Sequence, residues 1–258
     1  MVNMIIDGKH ISAEENITIM EAAEKNGKYL MIDQNQRLAK AHMEAKKMID
    51  AGRIGKILTF RTTFGHGGPE TWSVDPGKNT WFFDPKRAAM GAMADLGVHK
   101  TDLIQFLTSQ TVIETTATLM TLDKKDAEGK LIGVDDNAIC IYKMSGGIVG
   151  TMTASWTYYG AEDNSTVLYG TEGIMRIYDD PQHSIVVIDK DGSRSEYDVE
   201  AIQTNDNQTS SGMIDLFADC LVQQKEPEIS GKSVLTAMRA VFGSIESSKK
   251  GCAVKVNQ

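Results

Sequence analysis

Hydrophobic and polar positions in the N-terminal part of the chain follow the period of helices, with one short apolar run between two helical segments. We predict a helix that begins in a capping box formed by Ser12 and Glu15, and a second helix over residues 38–51. The compact apolar run at residues 29–32 favours a buried parallel strand. Residues 1–36 are therefore predicted to form the tail of an alternating α/β unit.

From residue 57 onwards the pattern changes to alternation, with many β-branched and aromatic residues. The predicted strands cover residues 57–64, 112–122, 137–144, 148–156, 165–169, 174–178, 185–188, 195–197 and 253–256. Helical spacing returns at residues 211–224 and 233–249. Short glycine-containing turns connect most of the strands, which favours antiparallel pairing. We therefore predict an α/β (α+β) fold in which a large, mainly antiparallel sheet carries helices on one face.

The predicted strand at residues 148–156 also indicates what lies on the other face of the sheet. Hydroxyl side chains alternate with larger apolar ones along this strand, so neither face is fully charged. Moderately apolar positions on both faces are typical of a sheet that is covered on both sides. We therefore expect a homodimer or tetramer that forms through the open sheet face.

The stretch at residues 94–107 combines a helical stripe of apolar residues with chemically active side chains. Asp95, His99 and Asp102 share one side of this predicted helix. Residues four apart on a helix lie about 6 Å apart at Cβ, so Asp95 and His99 can act on one substrate hydroxyl. We expect the carboxylate to hold the imidazole in one tautomer and support its charged form, with Asp102 serving structure. A first-turn aspartate followed by a surface histidine is the alternative that this spacing leaves open.

Composition excludes several classes of partner. The formal net charge of −8 over 258 residues disfavours binding to nucleic acid or to an anionic membrane. The three cysteines are far apart and odd in number, which is typical of a reducing cytoplasm. No apolar run approaches the length of a membrane span, and the N-terminus lacks the pattern of a secretory signal. We therefore predict a cytoplasmic protein.

The run Gly-Ala-Met-Ala-Asp-Leu-Gly-Val-His-Lys-Thr-Asp-Leu at residues 91–103 resembles the signature of the glucose-fructose oxidoreductase and inositol dehydrogenase family (Gfo/Idh/MocA). The segments at residues 34–37, 52–56 and 170–173 and the C-terminal helix are also similar to that family. The resemblance implies hydride transfer between NAD or NADP and a sugar, inositol or related polyol. It implies that Asp95 and His99 line the sugar pocket, with His99 as the acid/base.

The same resemblance assigns residues 1–36 to a remnant of a nucleotide-binding domain and residues 37–258 to the substrate and oligomerisation domain. Members of the family begin with a Gly-x-Gly-x-x-Gly turn, which this sequence lacks. The glycines at residues 65–68 lack the required spacing and the helix start that should follow. We therefore expect an N-terminally truncated relative without most of the Rossmann domain, which does not bind the cofactor alone.

The family's Glu-Lys-Pro motif is also replaced in this sequence. An ungapped alignment puts Asp7 in the place of the lysine, and Lys9 follows two residues later. Lys9 remains a catalytic candidate, with an exposed lysine near the terminus as the alternative. Two functions therefore stay open: an oxidoreductase, or a non-catalytic module that binds a ligand or assembles.

Further candidates for ligand binding lie outside the signature. The resemblance implies Asn35 and Arg37 as cofactor contacts, and Arg37 also as a substrate contact, unless it caps the junction between strand and helix. His66 either contacts substrate from its glycine loop or is exposed there. Trp72 and Trp81 either stack on a sugar ring or belong to the core.

The remaining polar candidates are interpreted as ordinary surface or cap residues: Lys100, His10, His42 and His183. A zinc or iron site built from Asp95, His99 and His66 is conceivable because carboxylate and imidazole groups bind both metals. Only Asp95 and His99 have a spacing that fixes them, and the sequence specifies no third ligand. We therefore assign no metal site.

Overall fold

The structure is a computed structural model that describes residues 2–6, 8–199 and 211–257. In chain order, the helices and strands are β1 (Val2–Ile6), β2 (Lys9–Ala13), α1 (Ile19–Lys25), α2 (Lys40–Asp50), β3 (Ile57–Gly65), α3 (Val98–Thr108), β4 (Val112–Met120), β5 (Asn137–Met144), β6 (Val149–Ser155), β7 (Thr166–Gly170), β8 (Gly173–Ile177), β9 (Ile185–Asp189), β10 (Arg194–Tyr197), α4 (Met213–Gln223), α5 (Gly231–Lys250) and β11 (Val254–Lys255).

The chain forms two compact units. The first comprises Met1–Asp33 and Gly212–Leu235, and the second comprises Gln34–Ser211 and Thr236–Gln258. The first unit contains the β1–β2 hairpin, α1, α4 and the beginning of α5. The packing of residues 212–235 with the N-terminal segment is a grouping that the sequence did not indicate.

The helix start predicted at Ser12 and Glu15 is wrong. Ser12 lies in β2, where its hydroxyl donates a hydrogen bond to Asn3 Oδ1 at 2.7 Å across the hairpin. The capping box is formed by Thr18 and Glu21 instead. Thr18 Oγ1 accepts the Glu21 N–H at 3.1 Å, and Glu21 Oε2 accepts the Thr18 N–H at 2.7 Å. The sequence contains the spacing of a capping box twice, and the first instance does not start a helix because Ser12 is paired in a strand.

The buried parallel strand predicted at residues 29–32 is also wrong. Met31 alone forms a bridge, which is antiparallel, to Ser230. The Ile32 N–H donates to Ile229 O at 3.1 Å, and the Gly231 N–H donates to Leu30 O at 2.8 Å. An apolar run does not specify its partner, and here the partner is the turn before α5.

The second unit is built on a sheet of nine strands in the order β10-β9-β8-β7-β3-β6-β5-β4-β11. Every described pair in this sheet is antiparallel except β3 and β6, which run parallel. This architecture confirms the predicted fold class and each of the predicted strands from residue 57 onwards. The parallel pair is possible because α3, β4 and β5 lie between β3 and β6 in the chain, and this long connection lets β6 run in the same direction as β3.

One face of the sheet packs against α3 and the turn that precedes it. Thr101 Oγ1 and Tyr142 Oη, both buried, lie 2.9 Å apart and connect α3 to β5. A Cβ atom at Gly97 would lie 2.8 Å from Met93 Sδ and 3.2 Å from Met152 Cε. Glycine at residue 97 therefore allows the helix to approach β6 closely.

Serine side chains of α5 cover one edge of the sheet. Strand β11 has only two residues, so the backbone of β4 extends beyond it. Ser247 Oγ accepts the Ala117 N–H at 3.0 Å, and Ser248 Oγ accepts the Leu119 N–H at 2.8 Å. These hydroxyls replace the acceptors that a neighbouring strand would supply.

Candidate active site

The segment that carries Asp95 and His99 is a π-helical turn, Met93–Gly97, that continues into α3. Asp135, two residues before β5, holds the start of this turn. Its carboxylate accepts the Gly91 N–H at 3.0 Å and the Met93 N–H at 2.7 Å. Single-turn π-helical segments inside helices occur frequently at functional sites.

Asp95 is half-buried and its carboxylate is held by an indole. The Trp156 Nε1–H donates to Asp95 Oδ2 at 2.9 Å, and Trp156 itself is fully buried in the core. Burial raises the pKa of Asp95 to about 6, and the hydrogen bond from Trp156 opposes that rise. The carboxylate is therefore ionised at neutral pH and becomes protonated just below it.

His99 is oriented by an amide. The His99 Nδ1–H donates to Gln34 Oε1 at 3.0 Å, so Nε2 carries the lone pair of the neutral imidazole. Burial, and next the charge of Lys100, lower the pKa of His99 to about 4. The expectation that Asp95 fixes the tautomer and supports the charged form is wrong, because Gln34 fixes the tautomer and the surroundings disfavour the imidazolium.

A continuous series of ring contacts begins at His99 and ends at Trp156, which binds Asp95. We call Phe64, His66, Trp72, Phe82 and Trp156 the aromatic wall. The ring centroids are separated by 6.4 Å for Phe64 and His99, 5.8 Å for Phe64 and His66, 5.9 Å for His66 and Trp72, 5.2 Å for Trp72 and Phe82, and 6.2 Å for Phe82 and Trp156. The hydrogen bond from Trp156 to Asp95 completes the series. Trp81 stacks on Phe82 with a centroid distance of 4.1 Å.

His66 is buried, so the alternative of an exposed loop histidine is wrong. Its Nδ1 accepts the Gly68 N–H at 2.9 Å, and its pKa is lowered to about 4, first by burial and then by the charge of Lys124. Lys124 holds the loop because its ammonium group donates to Gly67 O at 2.5 Å and pairs with Glu70. The aromatic wall is therefore fixed in place at this end.

Asp136, the neighbour of Asp135, holds the segment that carries Lys124. Its carboxylate accepts backbone N–H groups of Leu122 at 2.9 Å, Asp123 at 2.8 Å and Lys124 at 2.9 Å. Two adjacent aspartates thus secure the π-helical turn and the segment that clamps the His66 loop. Neither aspartate was singled out by the sequence.

Arg37 and the other predicted ligand contacts are placed as follows. The Arg37 guanidinium binds the buried Asp102 carboxylate through Nε at 2.6 Å and Nη2 at 2.5 Å. Asn35 lies next to it in a short 3₁₀ turn, and Trp81 is half-buried against Phe82. The backbone of Lys9 lies in β2, and its side chain lies outside the described part of the chain.

Two residues interpreted as surface residues are fully buried, and for them the interpretation is wrong. The Lys100 ammonium donates to Asn164 O at 2.8 Å, and burial lowers its pKa to about 7. The His42 Nδ1–H donates to Gln36 O at 2.7 Å. Lys100 was misplaced because α3 is buried on almost every side, and His42 was misplaced because it lies on the single buried face of α2, beside Ala41 and Ala45. His10 is exposed as predicted, whereas His183 is half-buried between Asp198 and Glu196.

The start of α1 and the glycine loop at residues 65–68 do not offer a site for the pyrophosphate of a dinucleotide. The start of α1 is occupied by its own capping box, whose Glu21 carboxylate would repel a pyrophosphate. In the glycine loop, the N–H groups of Gly65, His66 and Gly68 already donate to Asp163 O, Ser155 O and His66 Nδ1. Within residues 2–6, 8–199 and 211–257, no three His, Cys, Asp or Glu side chains come together in a group that could hold a metal ion.

Comparison with known proteins gives a family match. Residues 42–176, slightly more than half of the chain, match the model of the GFO/IDH/MocA C-terminal domain. The chain is 29% identical over 192 residues to levoglucosan dehydrogenase from Pseudarthrobacter phenanthrenivorans, which covers 64% of this chain and 48% of that protein. It is 21% identical over 248 residues to scyllo-inositol 2-dehydrogenase (NAD(+)) from Bacillus subtilis, which covers 96% of this chain and 68% of that protein. The chain thus spans about half the length of the first relative.

Solved structures share the fold. An oxidoreductase domain protein from Kribbella flavida matches with a TM-score of 0.76 and 19% identity, covering 93% of this chain and 69% of that chain. Levoglucosan dehydrogenase in complex with NADH and levoglucosan matches with a TM-score of 0.75 and 23% identity, covering 92% of this chain and 69% of that chain. In the described part of the chain, no helix is long and apolar enough to cross a membrane.

Proposed function

The chain belongs to the GFO/IDH/MocA family, and from this premise we propose that it binds a sugar, inositol or related polyol at Asp95 and His99 as part of a dehydrogenase. The observation that carries the proposal is the neutral imidazole of His99, whose Nε2 is an available proton acceptor on the same turn as an ionised carboxylate. The relatives named for levoglucosan and scyllo-inositol support this substrate class.

The proposed roles follow from the protonation states. His99 Nε2 accepts the proton of the substrate hydroxyl whose carbon is oxidised, and Asp95 accepts a hydrogen bond from that hydroxyl or its neighbour. The aromatic wall supplies an apolar surface for the C–H face of the sugar, with Trp81 behind it and His66 and Trp72 at its centre. Lys9 is retained as a third catalytic candidate.

A nicotinamide cofactor supplies the hydride acceptor in this class of reaction. The NADH in a solved relative of the same fold favours NAD, and Asn35 and Arg37 are the contacts that we propose for it. Because the start of α1 and the glycine loop offer no site for a pyrophosphate, we assign to this chain polyol binding, proton transfer and these two cofactor contacts, but not the main part of cofactor binding. A chain without the cofactor would be a ligand-binding or assembly module, which is the alternative function.

Calorimetric titration of the full chain tests this proposal. We expect levoglucosan or scyllo-inositol to bind, and His99→Ala to weaken that binding at least tenfold. The matched control is His10→Ala, which removes an exposed imidazole from the β1–β2 hairpin. NADH and NADPH, added with and without polyol, decide between the two functions. Polyol binding without cofactor binding supports the module, and binding of both supports the dehydrogenase.

We also propose that a second copy of the chain covers the open face of the sheet, giving a homodimer or tetramer. Ile139 and Ile141 of β5 and Val149 of β6 are exposed on that face, and the flanking positions are mostly threonines. An exposed apolar patch of this kind is typical of a surface that binds another protein, and the charged side chains of Lys143 and Arg61 lie at its margin. Sedimentation at micromolar concentration should show an oligomer, and Ile141→Lys should give a folded monomer. A monomeric parent chain would contradict this proposal.

A cytoplasmic location is proposed on the chemistry of the cysteines. Cys140 and Cys220 are buried and Cys252 is exposed, and all three are free thiols. Free thiols persist in a reducing compartment.

A further inference from the structure

Two buried N–H groups of the aromatic wall have no hydrogen-bond partner among the described residues. They are His66 Nε2 and Trp72 Nε1. His66 accepts the Gly68 N–H through Nδ1, so in the neutral imidazole the hydrogen is on Nε2. An indole nitrogen is a donor only. Both groups are therefore donors, and neither contributes an acceptor.

An unpaired buried donor is costly, which makes the pair informative. Leaving one such group without a partner costs about 1–3 kcal/mol. Most buried polar side-chain atoms in folded proteins are paired. His66 is only 7% exposed, and the two rings lie edge to face with centroids 5.9 Å apart. Two unpaired donors on adjacent rings indicate a ligand that brings an acceptor.

The same two rings are connected to Asp95 and His99 by the series of ring contacts, one at each end. Phe64 connects His66 to His99, and Phe82 connects Trp72 to Trp156 and so to Asp95. The acid/base pair and the donor pair therefore belong to one connected group of side chains. Asp95 and His99 would bind a hydroxyl of the ligand, and His66 and Trp72 would donate to another oxygen of the same ligand.

We propose that His66 and Trp72 form a donor subsite for an ether-type oxygen, and that the site therefore prefers cyclic sugars and anhydrosugars to carbocyclic polyols. A ring or bridging oxygen accepts two hydrogen bonds and brings no hydrogen of its own. A hydroxyl in the same place would bring an O–H that needs an acceptor, and neither ring offers one. This inference rests on the proposed polyol function and extends the stacking role of Trp72 to hydrogen bonding.

The test compares two ligands that differ in one atom. 1,5-Anhydro-D-glucitol has a ring oxygen, and its carbocyclic analogue has a methylene group in that place. We expect the parent chain to bind the ether about tenfold more tightly, which is typical for one satisfied buried donor or two partly satisfied ones. Calorimetry of the full chain measures both affinities.

Two variants remove one donor each. Trp72→Phe keeps an aromatic ring without the N–H, and His66→Asn keeps an acceptor for the Gly68 N–H. Each should reduce the preference for the ether over the carbocycle, measured as the ratio of the two affinities, by about three- to tenfold. Trp81→Phe is the matched control, because it makes the same change in an indole that stacks on Phe82. It should leave the ratio of the two affinities unchanged.

A spectroscopic readout complements the affinities. The chain has three tryptophans, so its ¹H–¹⁵N spectrum contains three indole signals, and Trp72→Phe identifies one of them. That signal should move when the ether binds and stay in place with the carbocycle. If the parent chain binds the ether and the carbocycle with equal affinity, and no variant changes the ratio of the two affinities, the donor subsite is overturned while polyol binding remains. Absence of binding by both ligands would overturn the proposed function and the subsite together.

Discussion

His99 and Gln34 form the contact that decides the chemistry of the site, with His99 Nδ1 donating to Gln34 Oε1 at 3.0 Å. The amide is neutral, so it orients the ring without stabilising a positive charge. With a pKa of about 4, the imidazole stays neutral at physiological pH and Nε2 stays unprotonated. Oxidation of an alcohol requires an unprotonated acceptor beside the hydroxyl, and Nε2 is such an acceptor.

Replacing Gln34 by glutamate should raise the pKa of His99. A carboxylate at this place stabilises the imidazolium, whereas the amide does not. Titration of His99 by NMR measures the change, and we expect an increase of at least one pKa unit. Asp95→Asn is the control: Asp95 has a pKa of about 6 and is already neutral where His99 titrates, so the substitution should leave the His99 pKa nearly unchanged. An unaltered His99 pKa in Gln34→Glu would show that Gln34 does not control the ring.

Asp95→Asn should make the protein more stable at pH 7 while it weakens polyol binding. The native state raises the pKa of Asp95 from 3.8 to about 6, so the native state holds the proton more tightly than the unfolded chain. The stability contributed by this group is full below pH 3.8 and is lost as the pH rises through 6. Above pH 6, the free energy of unfolding of Asp95→Asn should therefore exceed that of the parent by up to about 3 kcal/mol, because each pKa unit corresponds to about 1.4 kcal/mol.

Urea unfolding of Asp95→Asn at pH 7 and at pH 3.5 checks this expectation. The difference from the parent protein should be present at pH 7 and small at pH 3.5. An amide oxygen still accepts the hydrogen bond from Trp156, so that contact is conserved. A variant that is less stable than the parent at pH 7 would contradict a buried, strained carboxylate at this position.

His42→Asn should change the response of the protein to acid. Burial, and next the charge of Lys100, lower the pKa of His42 from 6.5 to about 3. The unfolded chain therefore takes up a proton below pH 6.5 that the native state refuses, so stability is lost as the pH falls from 6.5 towards 3. Relative to the parent, the variant should gain about 1.4 kcal/mol per pH unit within that window.

Unfolding curves of both proteins at pH 7, 6, 5 and 4 give this slope. Asparagine can still donate to Gln36 O, which limits the cost of the substitution at pH 7. A difference between the parent and His42→Asn that does not vary with pH would mean that His42 is accessible to protons in the native state.

Ser247→Ala should destabilise the edge of the sheet. The substitution leaves the buried N–H of Ala117 in β4 without its acceptor, at a cost of about 1–3 kcal/mol. Ser248→Ala is the matched control, because the Leu119 N–H that it serves is only partly buried and water can replace the hydroxyl. Urea unfolding at pH 7 should rank the two variants in that order. Equal stability of Ser247→Ala and the parent would show that another group pairs with Ala117.

The sheet and the Asp95–His99 pair were accessible to prediction because both depend on local spacing. Alternation over a few residues defines each strand, and an interval of four residues defines the pair. The partners of the pair were not accessible. Gln34 is 65 residues from His99, and Trp156 is 61 residues from Asp95. No local pattern connects positions so far apart, and the sequence therefore indicated the wrong partner for the imidazole.

Burial of polar residues was the other feature that spacing could not reveal. Lys100 and His42 lie on helices whose apolar stripes are clear, yet both are fully buried. The Lys100 ammonium donates to the carbonyl of Asn164, which is 64 residues away, and His42 Nδ1–H donates to the carbonyl of Gln36, which is six residues away. A sequence gives the residues that prefer the core, but it does not show which polar groups find a partner there.

The ¹⁵N signals of the His99 ring test the central claim most directly. A long-range ¹H–¹⁵N spectrum of the full chain at pH 7, assigned with His99→Ala, distinguishes the protonated from the unprotonated ring nitrogen. We predict a neutral ring with the hydrogen on Nδ1, and an Nε2 signal that moves when levoglucosan or scyllo-inositol is added. A ring protonated on Nε2, or an Nε2 signal that no polyol moves, would contradict His99 as the proton acceptor of this site.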